Sequence, residues 1–185
     1  NRPEEAEAAY KKAIELSPDD ALVYHSYGLL LAAQNRYAEA EAAYKKSIEL
    51  SSVNGLVYGN YGNLLARQNR FADAEAAYKK ALELLPNDSN LYSNYGSLLE
   101  GQSRLPEAEA VYKKAIELNA DNFRAAYYLA VIKARQNLPA EALDWLGTAL
   151  EKGYTNWEAL NANAAFTSLR DMPEFQALIQ KYRKN

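Results

Sequence analysis

Of the residue types that could do chemistry, this 185-residue chain offers one histidine, His25, no cysteine, and a scatter of carboxylates, amides and tyrosines. A lone imidazole without a thiolate cannot supply a histidine-based metal site or a thiol–imidazole pair. The absence of cysteine removes disulfides as well. No GxxxxGK[ST] or GxGxxG string is present, so the glycine-rich loops that cradle phosphates are missing. Acidic pairs such as Glu39 with Glu41 abound, but they lie among lysines on amphipathic segments and read as a solvated helix face with i,i+4 partners. Asn87-Asp88-Ser89 fits the glycosylation pattern and reads instead as a helix cap. The expectation is a chain with no catalytic residues, no metal and no cofactor.

Composition narrows the class further. With 49% hydrophobic and 24% charged residues the chain is too apolar for a disordered tail and too interrupted by charge for a membrane protein. Its longest apolar runs, such as Leu29 to Ala33, fall far short of the roughly 20 residues that cross a bilayer, so no membrane insertion is expected. Asn1-Arg2-Pro3-Glu4-Glu5 is polar where a secretory signal would need an apolar core. A net charge of −3 argues against a nucleic-acid partner, which calls for a basic stripe. Cytoplasm and periplasm are equally compatible with these features.

The elements that must position the remaining polar residues are set by a repeat. Ala-Tyr-Lys-Lys recurs with its tyrosine at Tyr10, Tyr44 and Tyr78, and Val111-Tyr112-Lys113-Lys114 is the fourth instance, each step being 34 residues. Asn35-Arg36-Tyr37-Ala38-Glu39-Ala40 returns as Asn69-Arg70-Phe71-Ala72-Asp73-Ala74, and Gly28, Gly62 and Gly96 keep the same interval, with Ala130 in the next place. Tyr58, Tyr61, Gly62 and Leu65 share one face of a first helix, and Ala74, Tyr78, Ala81 and Leu82 share one face of a second. Between them Gln68-Asn69-Arg70 is a polar break in which asparagine can take the left-handed conformation that ends a helix. Pro18 and Pro86, followed by Asp19-Asp20 and Asn87-Asp88, stop the second helix and supply caps for the next. Gly62 lets the paired helix approach, with Ala74 and Ala81 as matching small surfaces. No unit can bury its apolar stripe alone, so neighbours stack into a continuous core.

A 34-residue helix–turn–helix with aromatic, Leu, Gly, Ala, aromatic, Ala and Pro in this order resembles the tetratricopeptide repeat family. The resemblance runs over units 21–54, 55–88, 89–122 and a looser 123–156. It implies an all-α fold, an α-α superhelix in the form of a right-handed solenoid of antiparallel helix pairs. Tyrosine stands at Tyr24, Tyr58 and Tyr92 where the family favours tryptophan, and Pro139 takes a place usually aromatic.

Both ends depart from the period. Asn1-Arg2 aligns with Asn35-Arg36, so 1–20 reads as the second helix of a truncated repeat in a longer array, with an uncovered side open to self-association. Residues 157–185 read as closing helices. Trp157 to Thr167 keeps a helical pattern, and Met172-Pro173-Glu174-Phe175 opens a helix with proline in its first turn. Phe175, Leu178, Ile179 and Tyr182 form its apolar face, and Lys181, Arg183 and Lys184 suit its C-terminus. Glu151-Lys152-Gly153-Tyr154, with Leu169 to Phe175, resembles the closing segment of many bacterial tetratricopeptide proteins, which implies a bacterial origin.

In this family the first helices line the concave face, and that face commonly holds a peptide. The corresponding stripe here, at i, i+4, i+7 and i+11, is Leu22, Ser26, Leu29 and Ala33, then Leu56, Asn60, Asn63 and Arg67. It continues as Asn90, Asn94, Ser97 and Gly101, then Arg124, Tyr128, Val131 and Arg135. The groove so read is apolar at one end, amide-rich in the middle and cationic at the other. Asn60, Asn63, Arg67, Asn90, Asn94, Ser97, Arg124, Tyr128 and Arg135 are the expected partner-binding residues. The amides of Asn60 and Asn94 can both donate to and accept from an extended peptide backbone. A carboxylate clamp fits less well, because Gly59 and Tyr128 stand where that clamp has lysine and arginine. Tyr24, Tyr27, Tyr58, Tyr61, Tyr92 and Tyr95 recur with the period and read as packing. The expected function is a non-catalytic scaffold or adaptor for a protein or peptide segment. Its alternatives are a regulatory or substrate-recruiting region of a larger enzyme and a self-assembling scaffold.

Overall fold

The computed structural model describes residues 2–183, Arg2 by its backbone alone. The alignment of Asn1-Arg2 with Asn35-Arg36 at the side-chain level and the place given to Lys184 lie outside the described residues. Helices α1 (Arg2–Leu16), α2 (Ala21–Ala33), α3 (Tyr37–Leu50), α4 (Gly55–Arg67) and α5 (Phe71–Leu84) belong to one compact unit, Asn1–Asn87. A second unit, Asp88–Asn185, holds α6 (Ser89–Gly101), α7 (Leu105–Leu118), α8 (Phe123–Arg135), α9 (Pro139–Glu151), α10 (Trp157–Ala162), a 3-10 turn (Ala164–Leu169) and α11 (Pro173–Arg183). No strand occurs among the described residues.

Several helix boundaries have a local cause. Asp20 and Asp88 accept from the backbone N–H groups of Leu22 and Asn90 at 2.9 Å, and Asn54 and Asn122 cap α4 and α8 in the same way. Helices α1 and α5 end at Leu16 and Leu84, ahead of Pro18 and Pro86 as read from the sequence. The first helix of each pair ends on a left-handed residue, Asn35, Asn69, Ser103 or Asn137, with φ of 62°, 61°, 61° and 57°. At the second of these Arg70 N–H bonds back to Leu65 O at 3.0 Å and Asn69 N–H to Ala66 O at 3.0 Å, so the last carbonyls are satisfied while the chain reverses. An amide side chain tolerates this region better than most, which accounts for asparagine at three of the four positions.

Within a pair, the contact that fixes the approach is a glycine facing a tyrosine ring. A Cβ built on Gly28 falls 2.7 Å from Tyr44 Cε1, one on Gly96 falls 2.6 Å from Tyr112 Cε1, and one on Gly62 meets the Tyr78 ring at 3.3 Å. Gly62 therefore faces the Tyr78 ring itself, while Ala74 and Ala81, both fully buried, lie one turn either side on α5. The fourth pair keeps the fit by changing both partners. Ala130 stands in the glycine's place and Leu146 in the tyrosine's, both fully buried in one cluster.

Successive pairs are tied by a repeated carboxylate. Glu41 on α3 takes Lys45 Nζ at 2.8 Å, Arg70 Nη1 at 2.8 Å and the Tyr61 hydroxyl at 3.0 Å. Glu7 on α1 is held alike by Lys11, Arg36 and Tyr27. At Glu109 on α7 the turn offers no cation, because Leu138 occupies the position of Arg36, Arg70 and Arg104. Lys133, 8% exposed, takes over from α8 and reaches Glu109 at 2.9 Å and Glu141 at 3.1 Å. Burial raises the Glu41 and Glu109 pKa, but hydrogen bonds from Lys45, Arg70 and Tyr61, and from Lys113 and Lys133, outweigh it and hold each at about 2. The Arg36 and Lys11 hydrogen bonds bring Glu7 to about 2 as well.

At the end of the second unit Phe166, Leu169 and Phe175 close the core around α8 and α9, with Leu178, Ile179 and Tyr182 packed against them. The helical pattern read from Trp157 to Thr167 is broken, however. Asn163 leaves the helix at ψ 115°, its Oδ1 caps the following turn at Ala165 N, and its Nδ2 donates to the Tyr127 hydroxyl at 2.9 Å. A side chain engaged in both directions stabilises the break better than helix continuation does.

Gly96→Ala is expected to lower stability by about 1–3 kcal/mol, the cost of overpacking a fixed ring. Gly62→Ala, with more clearance and about 1 kcal/mol of helix propensity in its favour, should be close to neutral. Equal losses in urea unfolding contradict the ring-on-glycine assignment. Acid supplies a second test. Carboxylates held near 2 instead of the usual 4.5 contribute stability that is complete above about pH 4.5 and is lost as the pH falls toward 2. Urea midpoints should drop across that window, and drop less in Arg70→Met; parallel curves would remove the Arg70–Glu41 bridge from the account.

Candidate functional site

The first helix of each pair spends one face on its partner and leaves a second stripe outside. In the first unit that stripe exposes Leu22, Leu29 and Leu56, at 62%, 43% and 49%. Helical spacing places Ser26 and Asn60 among them. Three of the polar residues expected there are already engaged. Asn60 Nδ2 lies 2.9 Å from His25 Nε2. His25 is almost fully buried, 6.1 Å from the Tyr44 ring, and burial pushes its pKa down; in the tautomer protonated at Nδ1 its Nε2 accepts from the Asn60 amide, whose Oδ1 stays available. Asn63 Oδ1 accepts from the Tyr78 hydroxyl at 2.5 Å. Arg67 donates to Asn35 Oδ1 at 3.0 Å and lies 5.0 Å over the Tyr37 ring.

In the second unit Asn90 is exposed, and Asn94 and Ser97 are half-buried. Arg135 is bridged to Glu100 at 2.9 Å, and burial pushes the Glu100 pKa up while the arginine opposes that shift. The cationic character expected at this end therefore rests on Arg124. Val131, expected on the open stripe, is 1% exposed and belongs to the core. Helix α8 packs against α9 on one side and the 3-10 turn on another, so its far half is covered where α2, α4 and α6 keep an open face.

Arg124 and Tyr128 are brought together. They line a cavity of about 550 Å³ with Phe123 and Tyr127 from α8 and Tyr154, Asn156, Ala159, Ala162 and Asn163 from the chain that follows α9. Its floor is fixed. Tyr127 and Tyr154 stack at 4.3 Å with 8° between planes, Phe166 meets Tyr127 edge-on at 5.9 Å, and Asn163 holds the Tyr127 hydroxyl. Desolvation, followed by the Tyr127 contact, pushes the Tyr154 pKa up. Tyr128 is braced from behind by the Tyr112 ring, stacked at 5.3 Å. Helical spacing discloses Arg124 and Tyr128 of this wall and not the rest, because 154–163 lies where the 34-residue period fades. The aromatic residues there were the available signal. Among the described residues no cluster of three or more histidine and carboxylate side chains could hold a metal ion, and no helix is long and apolar enough to cross a membrane.

A family model described as tetratricopeptide repeat matches residues 1–55, 52–89, 60–122 and 96–156. No curated protein matches the chain. Among solved structures, PilW, described as a widely conserved type IV pilus biogenesis factor, is similar with a TM-score of 0.84 and 18% identity, over 99% of this chain and 86% of that one. YrrB, described as a TPR protein with an unusual peptide-binding site, is similar with a TM-score of 0.69 and 24% identity, over 95% and 91%. The first TPR of Spaghetti (RPAP3), bound to the HSP90 peptide SRMEEVD, gives 0.60 and 28% over 63% and 93%.

Proposed function

The chain belongs to the tetratricopeptide repeat family, and from that premise we propose that it is a non-catalytic scaffold holding a partner's segment along the open stripes of its first helices. The observation that carries this reading is the cavity at Arg124 and Tyr128, a rigid recess on the stripe that helical spacing alone singles out. Exposed leucines on α2 and α4 extend apolar surface that a folded chain leaves in water only at some cost. Solved relatives add support of a general kind: a peptide-binding site is named for YrrB, and an HSP90 peptide lies on the RPAP3 repeats.

Under this reading the polar residues of the stripe divide by how much capacity they keep. Asn63 and Arg67 have their side chains committed inside the unit, so they shape the surface. Asn60 keeps an acceptor, Asn90 and Asn94 offer amides, and Ser97 a hydroxyl. Arg124 supplies charge. Selectivity then falls to the flanking apolar positions and to the recess, since amide contacts to a peptide backbone read little sequence.

Asn60→Ala combined with Asn94→Ala is expected to reduce capture of the partner from a lysate of the source cells by about tenfold, with far-UV circular dichroism unchanged. Undiminished capture would remove the amide stripe from the interface.

A further inference from the structure

We propose that the recess between α8 and the 154–163 segment is a specificity pocket for an aromatic side chain with a carboxylate beside it, presented by an internal segment of a partner protein. This rests on the scaffold reading and adds the chemistry of what is recognised.

Three features of the lining lead there. The first is the pattern of committed hydrogen-bonding capacity. Asn156 Oδ1 is used by Ala159 N–H, Asn163 Oδ1 by Ala165 N–H and Asn163 Nδ2 by the Tyr127 hydroxyl. What remains toward a ligand is donor capacity at Asn156 Nδ2 and Arg124, beside tyrosine hydroxyls that can donate as well as accept. The second is charge. No carboxylate lines the recess, and Arg124 forms no ion pair among the described residues, whereas Arg36, Arg70, Arg104 and Arg135 each hold at least one. An exposed guanidinium beside a wall of donors suits a carboxylate, which it can meet with two parallel hydrogen bonds. The third is shape. Ala159 and Ala162, three residues apart on one face of α10, leave open the space that larger side chains would fill. At about 550 Å³ this open recess has room for one large side chain.

The apolar part of the ligand follows from the walls. Phe123 and Tyr128 offer partly exposed rings, and Ala159 and Ala162 add methyl groups to the same lining, apolar surface that suits a flat aromatic group. Because the stacked Tyr127 and Tyr154 are locked by Asn163 and Phe166, the recess exists before binding and little ordering cost remains to be met.

The test uses the full chain, 15N-labelled, and blocked hexapeptides Gly-Ser-Trp-Asp-Ser-Gly, the same with Lys for Asp, and the same with Ala for Trp. The Trp-Asp peptide should shift the amide signals of Arg124, Tyr128, Ala159 and Ala162, and either replacement should weaken binding by about tenfold. Ala162→Trp should abolish the shifts, and Arg124→Glu, an exposed change that leaves the fold intact, should transfer the preference to the Lys peptide. No shift at these residues with millimolar Trp-Asp peptide, or equal affinity for the Lys peptide, overturns the proposal. Equally tight binding of N-acetyltryptophan also overturns it, by making the recess a small-molecule site. If the pocket fails while the chain still captures a partner from the lysate, only this inference falls; if no partner is captured at all, the scaffold reading falls with it.

Discussion

A tyrosine ring pressed against a helix position that has no side chain sets the spacing of three helix pairs, at Gly28 with Tyr44, Gly62 with Tyr78 and Gly96 with Tyr112. All three rings are at most 2% exposed, so each contributes on the order of 1.5–3 kcal/mol by leaving water. That gain exceeds the roughly 1 kcal/mol a glycine costs inside a helix. The fourth pair shows that the constraint is steric: where a methyl group appears at Ala130, the opposing ring is replaced by Leu146.

Once glycine and tyrosine fix each pair, the other surfaces of the helices are free for separate tasks. The outer edges carry the Glu7, Glu41 and Glu109 bridges, which join one pair to the next without spending apolar area. Buried hydroxyls and amides do the same work inside the second unit, where Asn122 Nδ2 reaches Ser89 Oγ at 2.6 Å and Ser93 Oγ at 2.8 Å. The first helices keep one stripe that neither task uses. Where the closing segment folds back on α8, part of that stripe is buried and the remainder becomes a walled recess instead of an open surface.

The sequence discloses whatever the 34-residue period repeats. Tyr44, Tyr78, Tyr112 and the glycines announce the pairs, and Asn69 announces its left-handed turn. Arg124 and Tyr128 follow from helical spacing. What escapes this reading depends on contacts that occur once. His25 has no counterpart, since Gly59, Ser93 and Tyr127 stand in its place, so its hold on Asn60 leaves no periodic trace. Val131 obeys the spacing of the stripe, and only the course of the closing segment decides that it is covered. The break at Asn163, and with it the far wall of the recess, comes from a side chain bonding in two directions, which an apolar pattern does not encode.

The most direct measurement is a photo-crosslinking scan with benzoylphenylalanine placed singly at Leu29, Asn94 and Tyr128 on first helices, and at the exposed Ala42, Ala76 and Ala110 on second helices. Adducts to one partner protein should form at the first-helix positions and be absent from the second-helix positions. Adducts confined to Ala42, Ala76 and Ala110 would contradict the assignment of recognition to the first-helix stripes.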